Sequence, residues 1–68
     1  MIKITITYMK VDSSFAEEHP SFRKGELAFY VIRESGKRIS DYYNIESEAL
    51  KKAWDMVKNY GLTLVEPW

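Results

Sequence analysis

Hydrophobic and polar residues alternate strictly at the start of the chain. Ile2, Ile4, Ile6 and Tyr8 fall on one side of an extended backbone, and Lys3, Thr5 and Thr7 fall on the other. A period of two predicts a half-buried strand over residues 2–9, and Ile and Thr both suit a pleated backbone. Residues 12–25 show no sustained period. Ser14 and Glu17 have the spacing of a capping box over one helical turn, and His19-Pro20 forces the extended backbone that ends such a turn. The connection is long for a small domain, and Phe15 and Phe22 are the side chains expected to pin it to the body.

Residues 26–33 are apolar on both faces, with Leu27, Phe29 and Val31 on one and Ala28, Tyr30 and Ile32 on the other. That pattern predicts a central strand. Ser35-Gly36 reads as a two-residue turn, and residues 37–43 as a third strand running back. With that turn Ile32 faces Ile39, Tyr30 faces Asp41 and Phe29 faces Tyr42.

Helical spacing takes over at residues 45–60. Ala49, Leu50, Ala53, Trp54, Met56, Val57 and Tyr60 gather on one side, with Trp54 expected between helix and sheet. Glu48, Lys52, Asp55 and Asn59 gather on the other, and Glu48 and Lys52 stand four apart in the favourable order. Asn44 is the expected N-cap, with Glu46 and Glu48 suited to the positive end of the helix dipole. Gly61 is the expected residue just past the helix, with Lys58 in the last turn. Leu62-Thr63-Leu64-Val65 then reads as a short fourth strand stopped by Pro67. The fold class is therefore α+β: a small β-β-β-α-β domain with one helix packed on a mostly antiparallel sheet of three to four strands. If the strands flanking the helix are parallel in one sheet, the crossover is right-handed; the strand order stays open.

Composition sharpens the picture. The chain has 68 residues, room for one domain only, residues 1–68. A domain this small buries roughly 60% of the surface its unfolded chain exposes. Two Trp, five Tyr and three Phe concentrate the burial in few side chains. Ten basic residues balance ten acidic ones, so no global field draws in nucleic acid or an anionic membrane. With no Cys, disulfides, thiolate metal sites and thiol nucleophiles are excluded, which fits a reducing compartment. No apolar run approaches the ~20 residues of a membrane span. Met1-Ile2-Lys3-Ile4 lacks the apolar block of a signal peptide. The chain reads as a short cytoplasmic open reading frame.

Little of the chain has the makings of catalytic chemistry. Asp12, Ser13, Ser14 and His19 share one loop, yet a hydrolase triad also needs a rigid frame and an oxyanion hole, so this set reads as a helix cap and a solvated His. Glu17, Glu18 and His19 are adjacent in sequence, and one such cluster with no second His is a poor metal site. The reading is therefore a non-enzyme with no cofactor and no metal. Arg33, Lys37 and Arg38 gather at the hairpin tip, with Arg23 and Lys24 in the preceding loop. Tyr30, Tyr42 and Tyr43 are close in sequence, and basic residues interleaved with aromatics can track a phosphate backbone and stack bases. Lys and Arg also protect sheet edges.

The aromatic surplus carries the main functional expectation. One helix covers one sheet face, while residues 26–33 are apolar on both. Either the long loop and Trp68 fold over the second face, or that face binds a partner, as exposed apolar patches rich in Tyr do.

Tyr43-Asn44-Ile45-Glu46-Ser47-Glu48-Ala49-Leu50-Lys51-Lys52-Ala53-Trp54, followed by Gly61-Leu62-Thr63-Leu64-Val65-Glu66-Pro67, resembles the strand, helix and closing strand of small phage and mobile-element proteins. Inhibitors of bacterial enzymes are among them. The Gly36-Lys37-Arg38 turn is similar to the arm DNA-binding module of phage integrases, though this chain lacks that module's basic excess. The resemblance implies an origin and a class, and transfers no functional residue. The expected function is that of a non-catalytic phage-type modulator or inhibitor binding a larger host protein. Its contact surface is Phe29, Tyr30, Arg33, Lys37, Arg38, Tyr42 and Tyr43. A homodimer is a further possible partner arrangement, and a nucleic-acid module using the basic hairpin is the alternative.

Overall fold

The alternating segment forms β1, Lys3–Lys10, in a computed structural model that describes residues 2–65. A short helix α1, Ser13–Glu18, leads on to β2, Leu27–Arg33. The long helix α2, Glu46–Tyr60, precedes a two-residue strand β3, Thr63–Leu64. The architecture is α+β, with a three-stranded open sheet in the order β2-β1-β3. β1 pairs antiparallel with β2 and parallel with β3, so the sheet is mixed. The central strand is β1, not the doubly apolar segment at 27–33. β2 pairs with β1 on one edge and is bridged by Arg38 and Tyr43 on the other, and each of its apolar faces receives a separate cover.

On the first face, Ile4 and Ile6 of β1 and Val31 of β2 meet Ala49, Ala53 and Met56 of α2. All six are buried. The two alanines let the helix backbone approach the sheet, and burying an Ile or Val side chain there contributes about 1.5–3 kcal/mol. The expected helix face is narrower than its sequence pattern. Trp54 is 53% exposed, and Leu50 and Tyr60 are exposed as well. One residue is about 100° of helix turn, so with Ala53 against the sheet Trp54 points to the flank. It is not a core residue.

On the second face, Val11, Phe22 and Ala28 form a smaller core, with Met9, Phe15, Ala16 and Tyr42 packed against it. The loop does fold over this end of the sheet, pinned by Phe15 and Phe22. Its one helical turn is capped by Asp12, not by Ser14. The Asp12 carboxylate accepts the Phe15 N–H at 2.8 Å. His19 closes the turn, its own N–H donating to the Phe15 carbonyl. The expected contribution of Trp68 lies outside the described residues, as does the stop at Pro67.

Residues 37–43 are not a regular third strand. They form an arm joined to β2 by two isolated bridges, Ile32 with Arg38 and Phe29 with Tyr43. The expected pairs Ile32–Ile39, Tyr30–Asp41 and Phe29–Tyr42 do not form, because the loop is one residue longer than a two-residue turn. The Arg33 N–H donates to the Lys37 carbonyl and the Gly36 N–H to the Arg33 carbonyl, each at 2.8 Å. Gly36 has φ +93°, a left-handed conformation that glycine adopts without steric penalty. The longer loop slips the register by one. Beyond it the chain advances five residues on the arm, 38 to 43, for three on β2, 32 to 29. The excess bulges at Ser40–Tyr42. There the buried Ser40 hydroxyl accepts the Val31 N–H at 2.8 Å and donates to the Asp41 carbonyl at 2.9 Å. A side chain thus stands in for the missing ladder acceptor.

α2 begins after Ile45, which offers no side-chain cap. Asn44 instead donates through Nδ2 to the Ser21 carbonyl at 3.2 Å, tying the helix start to the loop. Gly61 closes the helix at φ 68°, its N–H donating to the Val57 carbonyl. β3 then docks on β1, with the Thr63 and Val65 N–H groups donating to the Ile2 and Ile4 carbonyls. The Thr5 hydroxyl donates to the Val65 carbonyl at 2.7 Å.

Candidate functional site

The residues singled out at 29–43 divide between the two faces. Phe29 and Tyr43 bridge each other and pack, half-buried, against the helix-side core. Tyr30 and Tyr42 lie on the opposite side with ring centroids 5.2 Å apart. Tyr42 also meets Phe15 edge-on at 4.8 Å and His19 at 5.3 Å. His19 itself stacks on Phe15 at 4.3 Å. These aromatics are consumed in holding the loop down. Asp12 caps the loop helix and His19 stacks on Phe15. Among the described residues, no group of three or more His, Asp or Glu is placed to hold a metal ion. No described helix is long and apolar enough to cross a membrane.

The basic residues divide differently. Arg33 and Arg38 line an open groove of ≈ 690 Å³ between α2 and the arm, while Lys37 stays exposed at the hairpin end, outside it. The register places Arg33 opposite Ile4, on the helix side of the sheet. Lys52, Met56 and Tyr60 follow one another at four-residue spacing along the α2 flank that forms the other wall. Ile2, Ile39 and Leu62 complete the apolar lining, and Asp41 is the single carboxylate among the described residues that line it. The described lining therefore carries three cations to one anion.

Arg38 is not a loose surface cation. Its guanidinium carbon sits 4.5 Å from the centroid of the Tyr42 ring, and its Nη1 donates to the Ser40 carbonyl. Cation–π contact and a hydrogen bond together fix the plane of the guanidinium. The bulge at Ser40–Tyr42 makes both contacts possible, because it brings residues two and four along the arm back under the Arg38 side chain. The Tyr42 ring is in turn held by Phe15, Tyr30 and His19 on the loop side. The bridge to Ile32 turns the Arg38 side chain toward that same loop-covered face, so Arg38 borders the groove while its guanidinium is engaged by Tyr42.

Of the groove-lining residues, the sequence reading names Arg33 and Arg38 and does not name Lys52, Met56 or Tyr60. Their four-residue spacing is visible in the sequence, but helical periodicity assigns Met56 and Tyr60 to the buried stripe and Lys52 to the solvated one. A second apolar exposure lies on the other flank of α2, where Leu50 and Trp54 stand one turn apart at 37% and 53% exposed.

The fold and the groove define a small α+β domain with a basic-rimmed apolar cleft on the helix side of an open mixed sheet. No protein-family model, curated protein or solved structure matches this chain.

Proposed function

We propose that this protein is a non-catalytic binding domain that engages a larger protein through the groove between α2 and the arm. The observation that carries this reading is the grouping of Arg33, Arg38 and Lys52 around a lining of Ile39, Met56 and Leu62. An apolar centre with a charged rim is the usual anatomy of a protein interface, and Arg is enriched where binding energy concentrates. The reading retains Arg33 and Arg38 from the sequence-derived surface and assigns Phe29, Tyr30, Tyr42 and Tyr43 to support. The resemblance of residues 43–54 and 61–67 to small phage proteins makes a cytoplasmic enzyme of a bacterial host the partner we favour, with inhibition or modulation as the outcome.

Site-specific photo-crosslinking tests the placement. A photoreactive residue at position 39 should capture a partner from bacterial lysate in one dominant adduct, and the adduct should disappear in a Lys52→Glu background. The same probe at Lys51, exposed elsewhere on α2, should give none. Equal adducts from positions 39 and 51 would remove the groove as the site.

A further inference from the structure

Resting on the groove reading, we infer that the bound segment is acidic and carries one apolar side chain into the cleft, so that the partner is recognised through a linear acidic motif. Arg33, Arg38 and Lys52 outnumber Asp41 along the lining, so an occupant gains by bringing carboxylates. The apolar lining is mainly aliphatic and thioether, with Ile39, Met56 and Leu62 beside Tyr60. Met is adaptable in shape and suits an inserted aliphatic or aromatic side chain.

Arg33 adds a preference within the anions. It stands opposite Ile4 on the helix side of the sheet and lines the groove, and a planar guanidinium is matched bidentately by a carboxylate. The Arg38 guanidinium is engaged by Tyr42 and the Ser40 carbonyl and adds charge at the border of the groove.

Nucleic acid fits less well. Base stacking needs aromatic platforms. Tyr30 and Tyr42 are engaged on the other side of the sheet, and Tyr60 is the only aromatic among the described residues of the lining. Asp41 would face the phosphate backbone, and a chain with no net charge has no long-range pull on a polyanion.

The test uses the full chain and labelled probes in fluorescence anisotropy. The probes are a twelve-residue Glu/Asp-rich peptide with one central Phe, the same peptide with Ser for Phe, its Lys-rich analogue, and a single-stranded oligonucleotide of equal charge. The Phe-containing acidic peptide should bind saturably. Replacing its Phe should weaken binding about tenfold, in the range of a lost apolar anchor. Lys52→Glu or Arg33→Glu should weaken it about tenfold or more, whereas Lys51→Glu, an equal charge change outside the groove, should change it by less than about threefold. Circular dichroism of each variant separates lost binding from lost fold. Three results would overturn the inference: no saturable binding of the acidic peptide, equal loss in Lys51→Glu and Lys52→Glu, or tighter binding of the oligonucleotide or the Lys-rich analogue. If the peptides fail while crosslinking from position 39 still depends on Lys52, the acidic motif is wrong and the groove stands. If both fail, the groove reading falls with it.

Discussion

The Arg38 guanidinium lies 4.5 Å from the centroid of the Tyr42 ring, on the face where Tyr42 packs its other contacts into the loop. Tyr42 therefore ties the arm to the loop. Tyr42→Phe keeps the ring and should leave stability and groove binding close to wild type. Tyr42→Ala removes the ring contacts to Phe15, His19 and Tyr30. It should destabilise by about 1–3 kcal/mol, on the scale of two or three aromatic pairs, and leave acidic-peptide binding by the folded protein within about threefold, because Arg33 and Lys52 stay in place. Urea melts and anisotropy on the two variants check this. A loss of about tenfold in folded Tyr42→Ala would show instead that the Arg38 guanidinium contributes to the groove.

Trp54 and Ala53 make a contrasting pair one residue apart. Trp54→Ala should change stability by less than about 1 kcal/mol, as expected for a half-exposed side chain away from caps and core. Ala53, fully buried under the helix, should not tolerate enlargement. Ala53→Leu should cost about 1–3 kcal/mol through overpacking. Chemical denaturation of both variants would expose an inverted helix face at once.

Ser40 offers a test of the bulge. Its hydroxyl is the acceptor for the Val31 N–H in a buried setting. Ser40→Ala leaves that donor unsatisfied, which costs about 1–3 kcal/mol. Amide exchange at Val31 should accelerate more than at Ile6 on the neighbouring strand. An unchanged Val31 exchange rate would mean another acceptor takes over.

Asp12 caps a helix that has little else to hold it. Asp12→Ala should cost about 1 kcal/mol, and Asp12→Asn or Asp12→Ser should restore most of it. The loss should appear first as faster amide exchange in residues 13–19, with β1 and β2 keeping their protection. Uniform acceleration across the domain would show instead that the loop and the sheet open together.

What the sequence discloses here depends on which rule each segment obeys. β1 and α2 were legible because their periods of two and 3.6 run long enough to exclude each other. The pinning of the loop by Phe15 and Phe22 was legible because large aromatics in a polar stretch have few places to go. The arm was misread by a single residue of loop length. Ser35-Gly36 satisfies the two-residue turn, but Glu34 joins the loop and Gly36 takes the left-handed position after it. That slip reassigned every pair between Ile32 and Phe29. Trp54 was misread because the helix stripe was drawn too wide. The sheet needs only Ala49, Ala53 and Met56 beneath it, and a domain this thin leaves its flanks in water. For the groove, Arg33 and Arg38 were visible as a basic cluster. Lys52 was not, since nothing local says that a solvated-looking helix position faces an arm ten or more residues upstream.

The position of β1 at the centre of the sheet has a kinetic consequence. Neither of its ladders is a tight hairpin. Its partner β2 begins only after the intervening loop and α1, and the Thr5 hydroxyl reaches a carbonyl sixty residues further along the chain. Closing such loops is unfavourable before any contact rewards it, so this chain should fold slowly for its size despite a well-formed helix. β3 can dock only after α2 has turned the chain back, which places its pairing late. Leu64→Ala should therefore speed unfolding and leave the folding rate almost untouched, with a φ-value near zero. Stopped-flow chevrons would reveal the opposite order if Leu64 instead slows folding.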